Sequence, residues 1–223
     1  MGGAIRIVIR EKDGTVWSNE RWTNAMTTLT RDARFVDNDD AWFERYKANG
    51  EWHTDDHTLA PISYGIVVVD RKTMTVIDCN GYGTALSMGL VHLVNNPDDE
   101  DYLKLIERGL LLYKGKPMEM PAKEDAERHF ETMWRADRHA KLEIAYAPWK
   151  YHRFSEGDYR AVRTQMIDLG FVFTPRDEAA FDVAIRNRET DSDEIDVDTV
   201  LAGIEPVDED RKRDAASNTG ASA

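Results

Sequence analysis

One cysteine, Cys79, stands in a chain of 223 residues. A lone thiol forms no internal disulfide, and this one sits in an apolar stretch. The expected setting is a reducing cytoplasm, with the thiol buried and inert. No apolar run approaches the roughly 18–20 residues that cross a bilayer, so no membrane contact is expected. The opening residues, MGGAIRIVIREKDG, lack the apolar core of a signal peptide, and Arg6 stands where a myristoylation signal carries Ser or Thr. Basic charge is scarce: 29 Lys and Arg face 42 Asp and Glu, a net −13. That argues against a broad basic surface for nucleic acid. Two catalytic signatures are also missing, the GxxxxGK[ST] phosphate loop and the GxSxG elbow.

The acid is unevenly spread. From Glu189 to Ala223 there are eleven Asp and Glu against three Lys and Arg, which is −8 of the −13 and leaves −5 for the 188 residues before it. The end of the chain has too little apolar area to offset the entropy of ordering. The expectation is therefore one domain over 1–188 and a flexible acidic tail over 189–223. One aliphatic island interrupts the tail: Ile195, Val197, Val200, Leu201 and Ile204. Such an island orders on a partner, docks back on its own domain, or has no role.

The body is organised around Tyr64–Gly83. Ile66–Val69 is β-branched, Asp70-Arg71-Lys72-Thr73 is a polar gap, and Met74–Cys79 is a second strand. This predicts an antiparallel hairpin buried on both faces. Ala4–Arg10 alternates Ile5, Ile7 and Ile9 with Arg6, Val8 and Arg10, a half-buried strand with its arginines in water. Helices are predicted over 19–30, 38–48 (Asn38 as cap), 96–113, 121–146, 155–169 and 175–188. Ser155-x-x-Asp158 has the spacing of a capping box, and Thr174-Pro175-Arg176-Asp177 is a second start signal. Strands lead and helices follow. The predicted fold class is α+β: a small antiparallel sheet from the N-terminal half, packed by helices from the C-terminal half.

Candidate chemistry is thin. His53, Asp55 and His57 combine imidazole and carboxylate in five residues, a donor set for zinc or a similar divalent metal. A third ligand would come from His92, His129 or His139; a solvated loop accounts for the same residues. Gly81-Tyr82-Gly83 suits a phosphate turn but lacks the third glycine, since Leu86 holds its place. Glu127, His129, Glu131, Asp137 and His139 read as a solvated helix face. Trp149–Arg153 mixes aromatics with bases, as single-strand binders do, in only five residues. The helices 155–169 and 175–188 have helix-turn-helix spacing without a basic face. Six tryptophans, all at or before 149, form either core or an interface.

The function expected is that of a non-enzymatic protein-interaction or assembly module without cofactor. It would bind another protein through its aromatic-rich N-terminal half or through Ile195–Ile204. A component of a phage or mobile element is one such module, though no residue points to it. The competing classes are a metal-dependent hydrolase built on His53, Asp55 and His57, and a nucleic-acid-associated regulator. A homo-oligomer is compatible with the sequence.

Overall fold

A computed structural model describes residues 4–22, 33–50, 52–54, 58–80, 100–113, 115–119, 121–122, 125, 128–132 and 144–190. The elements in chain order are β1 (Ala4–Arg10), β2 (Val16–Trp22), α1 (Ala33–Val36), α2 (Asp40–Ala48), β3 (Gly65–Asp70) and β4 (Thr75–Asn80). They continue with α3 (Glu100–Glu107), β5 (Leu111–Tyr113), β6 (Lys116–Pro117), β7 (Ile144–Tyr146), β8 (Lys150–Arg153), α4 (Tyr159–Asp168) and α5 (Pro175–Thr190).

The fold is α+β. A five-stranded sheet has the order β2-β1-β3-β4-β8, and a three-stranded one the order β6-β5-β7. The predicted hairpin is present as β3 and β4, paired antiparallel from Gly65↔Asn80 to Asp70↔Thr75. All twelve of its strand residues are buried, as the unbroken β-branched run requires of a central ribbon. A side chain at Gly65 is impossible: its φ is +119°, and a Cβ there would lie 2.1 Å from the Cys79 carbonyl oxygen.

The sheet is mixed where an antiparallel one was expected. β1 runs parallel to β3, and β4 runs parallel to β8. Parallel neighbours need a long crossover. The stretch between β2 and β3, which carries α1 and α2, is long enough to supply one.

Helices cover both faces of this sheet. On one face Ile5, Ile7, Ile9, Val67, Val69 and Val76 pack with Phe35, Val36, Trp42, Phe43 and Trp149. On the other, Val8, Ile66, Val68, Ile77 and Cys79 pack with Tyr159, Val162, Met166, Phe171 and Phe181. The arginines of β1 are therefore not in water. Arg6 and Arg10 are 4% and 6% exposed, because α4 and α5 close the face they point to.

Other boundaries also differ from the sequence reading. Asn19–Trp22 is strand, not helix. Asp39, not Asn38, caps α2 by accepting from Trp42 N at 2.8 Å. The helix predicted to reach Tyr113 stops at Glu107. There Gly109 N bonds Ile106 O at 2.8 Å and Leu110 N bonds Leu105 O at 2.9 Å, with Gly109 at φ +65°. These two bonds satisfy the last carbonyls and turn the chain into β5. Residues 144–146, expected in a helix, pair with β5 as β7.

Candidate functional site

Two opposite-charge pairs end the parallel strands β1 and β3. Arg10 lies in register with Asp70, and Glu11 and Arg71 follow them. Successive side chains alternate faces, so the two pairs work on opposite sides of the sheet. Arg10 Nε and Nη2 donate to the Asp70 carboxylate at 2.9 and 2.5 Å. Asp70 is 0% exposed and also accepts from Lys72 N and the Thr73 hydroxyl. On the other face Arg71 donates to Glu11, Asn38 and Asp40 and lies over the Phe43 ring at 4.0 Å. Lys47 Nζ meets both Glu11 and Glu44 at 2.8 Å. Burial disfavours the Lys47 ammonium, but its bonds to Glu11 and Glu44 prevail and raise its pKa. Hydrogen bonds from Lys12 and Arg71 hold the Asp40 carboxyl below its usual pKa. Arg10, Asp70 and Arg71 are buried and bonded on several sides, which fixes the geometry of these strand ends.

The Arg10 pair also positions the turn between α4 and α5. Its Nη2 donates to Leu169 O at 2.8 Å, and its guanidinium lies over Phe171 at 4.2 Å. Gly170, at φ +83°, lets Gly170 N reach Ile167 O at 2.8 Å and Phe171 N reach Met166 O at 3.0 Å. That end motif folds Phe171 inward onto the core. Phe173 packs on Phe181 at 5.2 Å. α5 then opens with a reciprocal capping box. Asp177 N donates to Thr174 Oγ1 at 3.1 Å, and Thr174 N donates to Asp177 Oδ2 at 2.8 Å. The other Asp177 oxygen accepts from Leu59 N at 2.7 Å, fastening this turn to the 58–60 segment. Between these anchors Val172 is left 87% exposed, and just before them, at the end of α4, Ile167 is 50% exposed. Two aliphatic side chains thus stand in water on a backbone fixed from both sides.

Of the residues predicted to carry chemistry, few lie among the described ones. His53 joins Ser18 through its backbone, N to O at 3.0 Å and O from N at 2.9 Å, so it lies along the β2 edge in extended chain. Asp55, His57, His92 and His139 lie outside the described residues, as do Gly81–Gly83, Glu127, Asp137 and Ile195, Val197, Val200, Leu201 and Ile204. Among the described residues no three His, Cys, Asp or Glu are placed to hold a metal ion. His129 lines an open cleft of about 580 Å³ with Tyr113, Asp125, Arg128 and Thr132, where Arg128 is paired with Asp125.

The Trp149–Arg153 stretch is core and strand. Trp149 is 5% exposed, stacks on Phe35 at 4.9 Å and donates Nε1–H to Val36 O at 2.9 Å. Tyr151 OH donates to the buried Asp78 at 2.6 Å. Cys79 is buried, and burial pushes its pKa up to about 12. The bases of α4 and α5 face acids: Arg160 with Glu189 at 2.8 Å, Arg163 with Glu178 and Asp182, and Arg188 with Glu156 at 3.0 Å.

The ends of β1 and β3 carried a signal that the sequence reading passed over. Arg10-Glu11 and Asp70-Arg71 each follow an aliphatic run and have reversed charge order, as two parallel strands in register require. No family model, curated protein or solved structure matches this chain.

Proposed function

We propose that the chain is a non-enzymatic protein-binding module whose folded contact is the apolar tip of the α4–α5 turn. The Ile195–Ile204 segment, read from sequence, is its second contact, and a cytoplasmic setting fits its single buried thiol. The observation that carries the reading is Val172, 87% exposed in the turn, with Ile167 at the end of the preceding helix at 50%. Fully burying a valine or isoleucine side chain against a partner contributes about 1.5–3 kcal/mol, the scale of a residue that dominates an interface. The turn is held by a capping box, the glycine end motif and Arg10, so docking costs little ordering entropy. In the aromatic-rich N-terminal half, Trp42 is only 6% exposed and supplies little contact surface.

The test uses tagged full-length chain, the double variant Ile167→Asp/Val172→Asp, and a chain ending at Thr190, each used to capture protein from the source cells. Thermal melts first establish that the variants fold. The expected result is a stoichiometric partner held by the full chain and lost from the double variant. Equal capture by all three proteins would sink the reading.

A further inference from the structure

We infer that the corner between β2 and the C-terminal end of α2 binds a small oxyanion, phosphate or carboxylate, on the donors of Asn19, Arg21, Tyr46 and Trp52. The inference is independent of the protein-binding reading, since it concerns the opposite edge of the sheet from β8 and uses none of the α4–α5 residues.

Three observations bring the four side chains together. First, Ser18 and His53 exchange backbone hydrogen bonds, so the chain leaving α2 lies antiparallel along the outer edge of β2. Counting outward from that bridge sets Asn19 against Trp52 and Arg21 against Gly50. Second, Gly50 confirms the register. A Cβ built there would lie 1.8 Å from Arg21 Nη2 and 3.1 Å from Asn19 Nδ2. The guanidinium and the amide therefore crowd the same bare backbone, and a side chain at Gly50 would push the guanidinium aside. Third, the Tyr46 and Trp52 rings are 5.7 Å apart, and Tyr46 stacks on Trp42 at 5.2 Å. Asn19 and Arg21 pair with Ile7 and Ile5, whose side chains face the same cluster as Trp42.

The chemistry of the corner is one-sided. Asn19 Nδ2, Arg21 Nε, Tyr46 OH and Trp52 Nε1 are all buried and have no hydrogen-bond partner among the described residues. Asn19 as a whole is 5% exposed. Folded proteins rarely leave one such group unmatched, and four in one corner call for a shared acceptor. An amide N–H, a guanidinium N–H and an indole N–H can only donate. The Tyr46 hydroxyl keeps its proton at neutral pH, because burial pushes its pKa up to about 12. Three neutral donors around one fixed positive charge match a compact group that is negatively charged and rich in acceptor oxygens. Arg21 Nη2 already donates to Asn49 O at 3.3 Å at the exposed side of the corner, and the inward-facing Nε of the same cation favours an anion over a neutral ligand. Overall acidity, −13, does not oppose this, because the interaction is set by groups in contact.

The test titrates inorganic phosphate, and separately acetate, into the full chain at neutral pH, with chloride holding ionic strength constant. Calorimetry gives affinity and stoichiometry for every variant, and a fluorescence change present in the parent chain but lost in Trp52→Phe isolates Trp52 among the six tryptophans. The expected result is saturable binding of one anion per chain. Tighter phosphate than acetate identifies a phosphate site; the reverse identifies a carboxylate site. Arg21→Gln removes a charge-assisted donor and should weaken binding about tenfold or more. Tyr46→Phe and Trp52→Phe keep the rings, remove one donor each, and should weaken binding several-fold while the melt stays cooperative. No saturable signal with either anion overturns the inference. So does an affinity unchanged in both Arg21→Gln and Tyr46→Phe.

Discussion

Replacing Asp70 with asparagine tests whether the strand-end charges hold this fold and its α4–α5 tip. The carboxylate is 0% exposed and accepts from Arg10 twice, from Lys72 N at 3.1 Å and from the Thr73 hydroxyl. Asparagine keeps the shape, removes the charge and turns an amide donor toward a guanidinium that is 6% exposed. Removing one partner of a buried ion pair costs about 3–5 kcal/mol, because the other charge stays buried without compensation. With a urea dependence of about 2 kcal/mol per molar, the unfolding midpoint should fall by roughly 1.5–2.5 M. The damage should reach the tip, since Arg10 also holds Leu169 O at 2.8 Å and lies over Phe171. Amide exchange at Gly170 and Phe171 should quicken more than at Val67 and Val68 in the central ribbon. The double variant Arg10→Met/Asp70→Leu removes both charges at similar volume and should regain most of the loss. A midpoint shift below about 0.5 M for Asp70→Asn, or a double variant no better than the single, would refute the reasoning.

The remaining predictions concern ionisation. Burial raises Cys79 from 9.0 to about 12, so at pH 8 its thiolate fraction is about 10⁻⁴ instead of about 10⁻¹. A disulfide reagent should label native protein about a thousandfold more slowly than a free thiol and label it readily in urea; rapid native labelling would contradict the burial. The same shift makes stability full below pH 9 and progressively lost as pH rises toward 12, and Tyr46 and Tyr159, both raised to about 12 by burial, add to it above pH 10. At the acid end the sign reverses. Asp40 is lowered below 3.8 by Lys12 and Arg71, so its contribution is present above that value and disappears as pH falls through its folded pKa. Asp40→Asn should flatten the stability profile below pH 4 in acid titrations followed by circular dichroism; an unchanged profile would remove Asp40 from the account.

The parts legible in the sequence were those set by local chemistry. Ile66–Val69 could only be a buried strand, and the four polar residues after it could only turn. Thr174-Pro175-Arg176-Asp177 opens α5 because a threonine and an acid three apart satisfy each other's backbone amides. Ser155-x-x-Asp158 has the same spacing, yet Asp158 makes no side-chain cap bond. What stayed illegible was set by distant partners. Arginines alternating with isoleucines in β1 look like an amphipathic strand until Asp70, sixty positions away, is placed beside Arg10. Leu110–Tyr113 continues a helical spacing, and pairing of Leu111–Tyr113 with Lys116–Pro117 and with residues 144–146 makes it a strand. The tryptophans could not be sorted by pattern, because core and interface use them alike. Val172 carried no signal at all: its exposure follows from the turning in of Phe171 and Phe173 on either side.

The central claim is that the α4–α5 tip meets another protein. Its most direct measurement is site-specific photocrosslinking in the source cells, with the photoreactive residue at Val172 or, as a control, at the exposed polar turn residue Asp13. The account predicts one defined crosslinked product from position 172, lost when Ile167 is changed to Asp and absent from position 13. No product from position 172, or the same pattern from both positions, contradicts it.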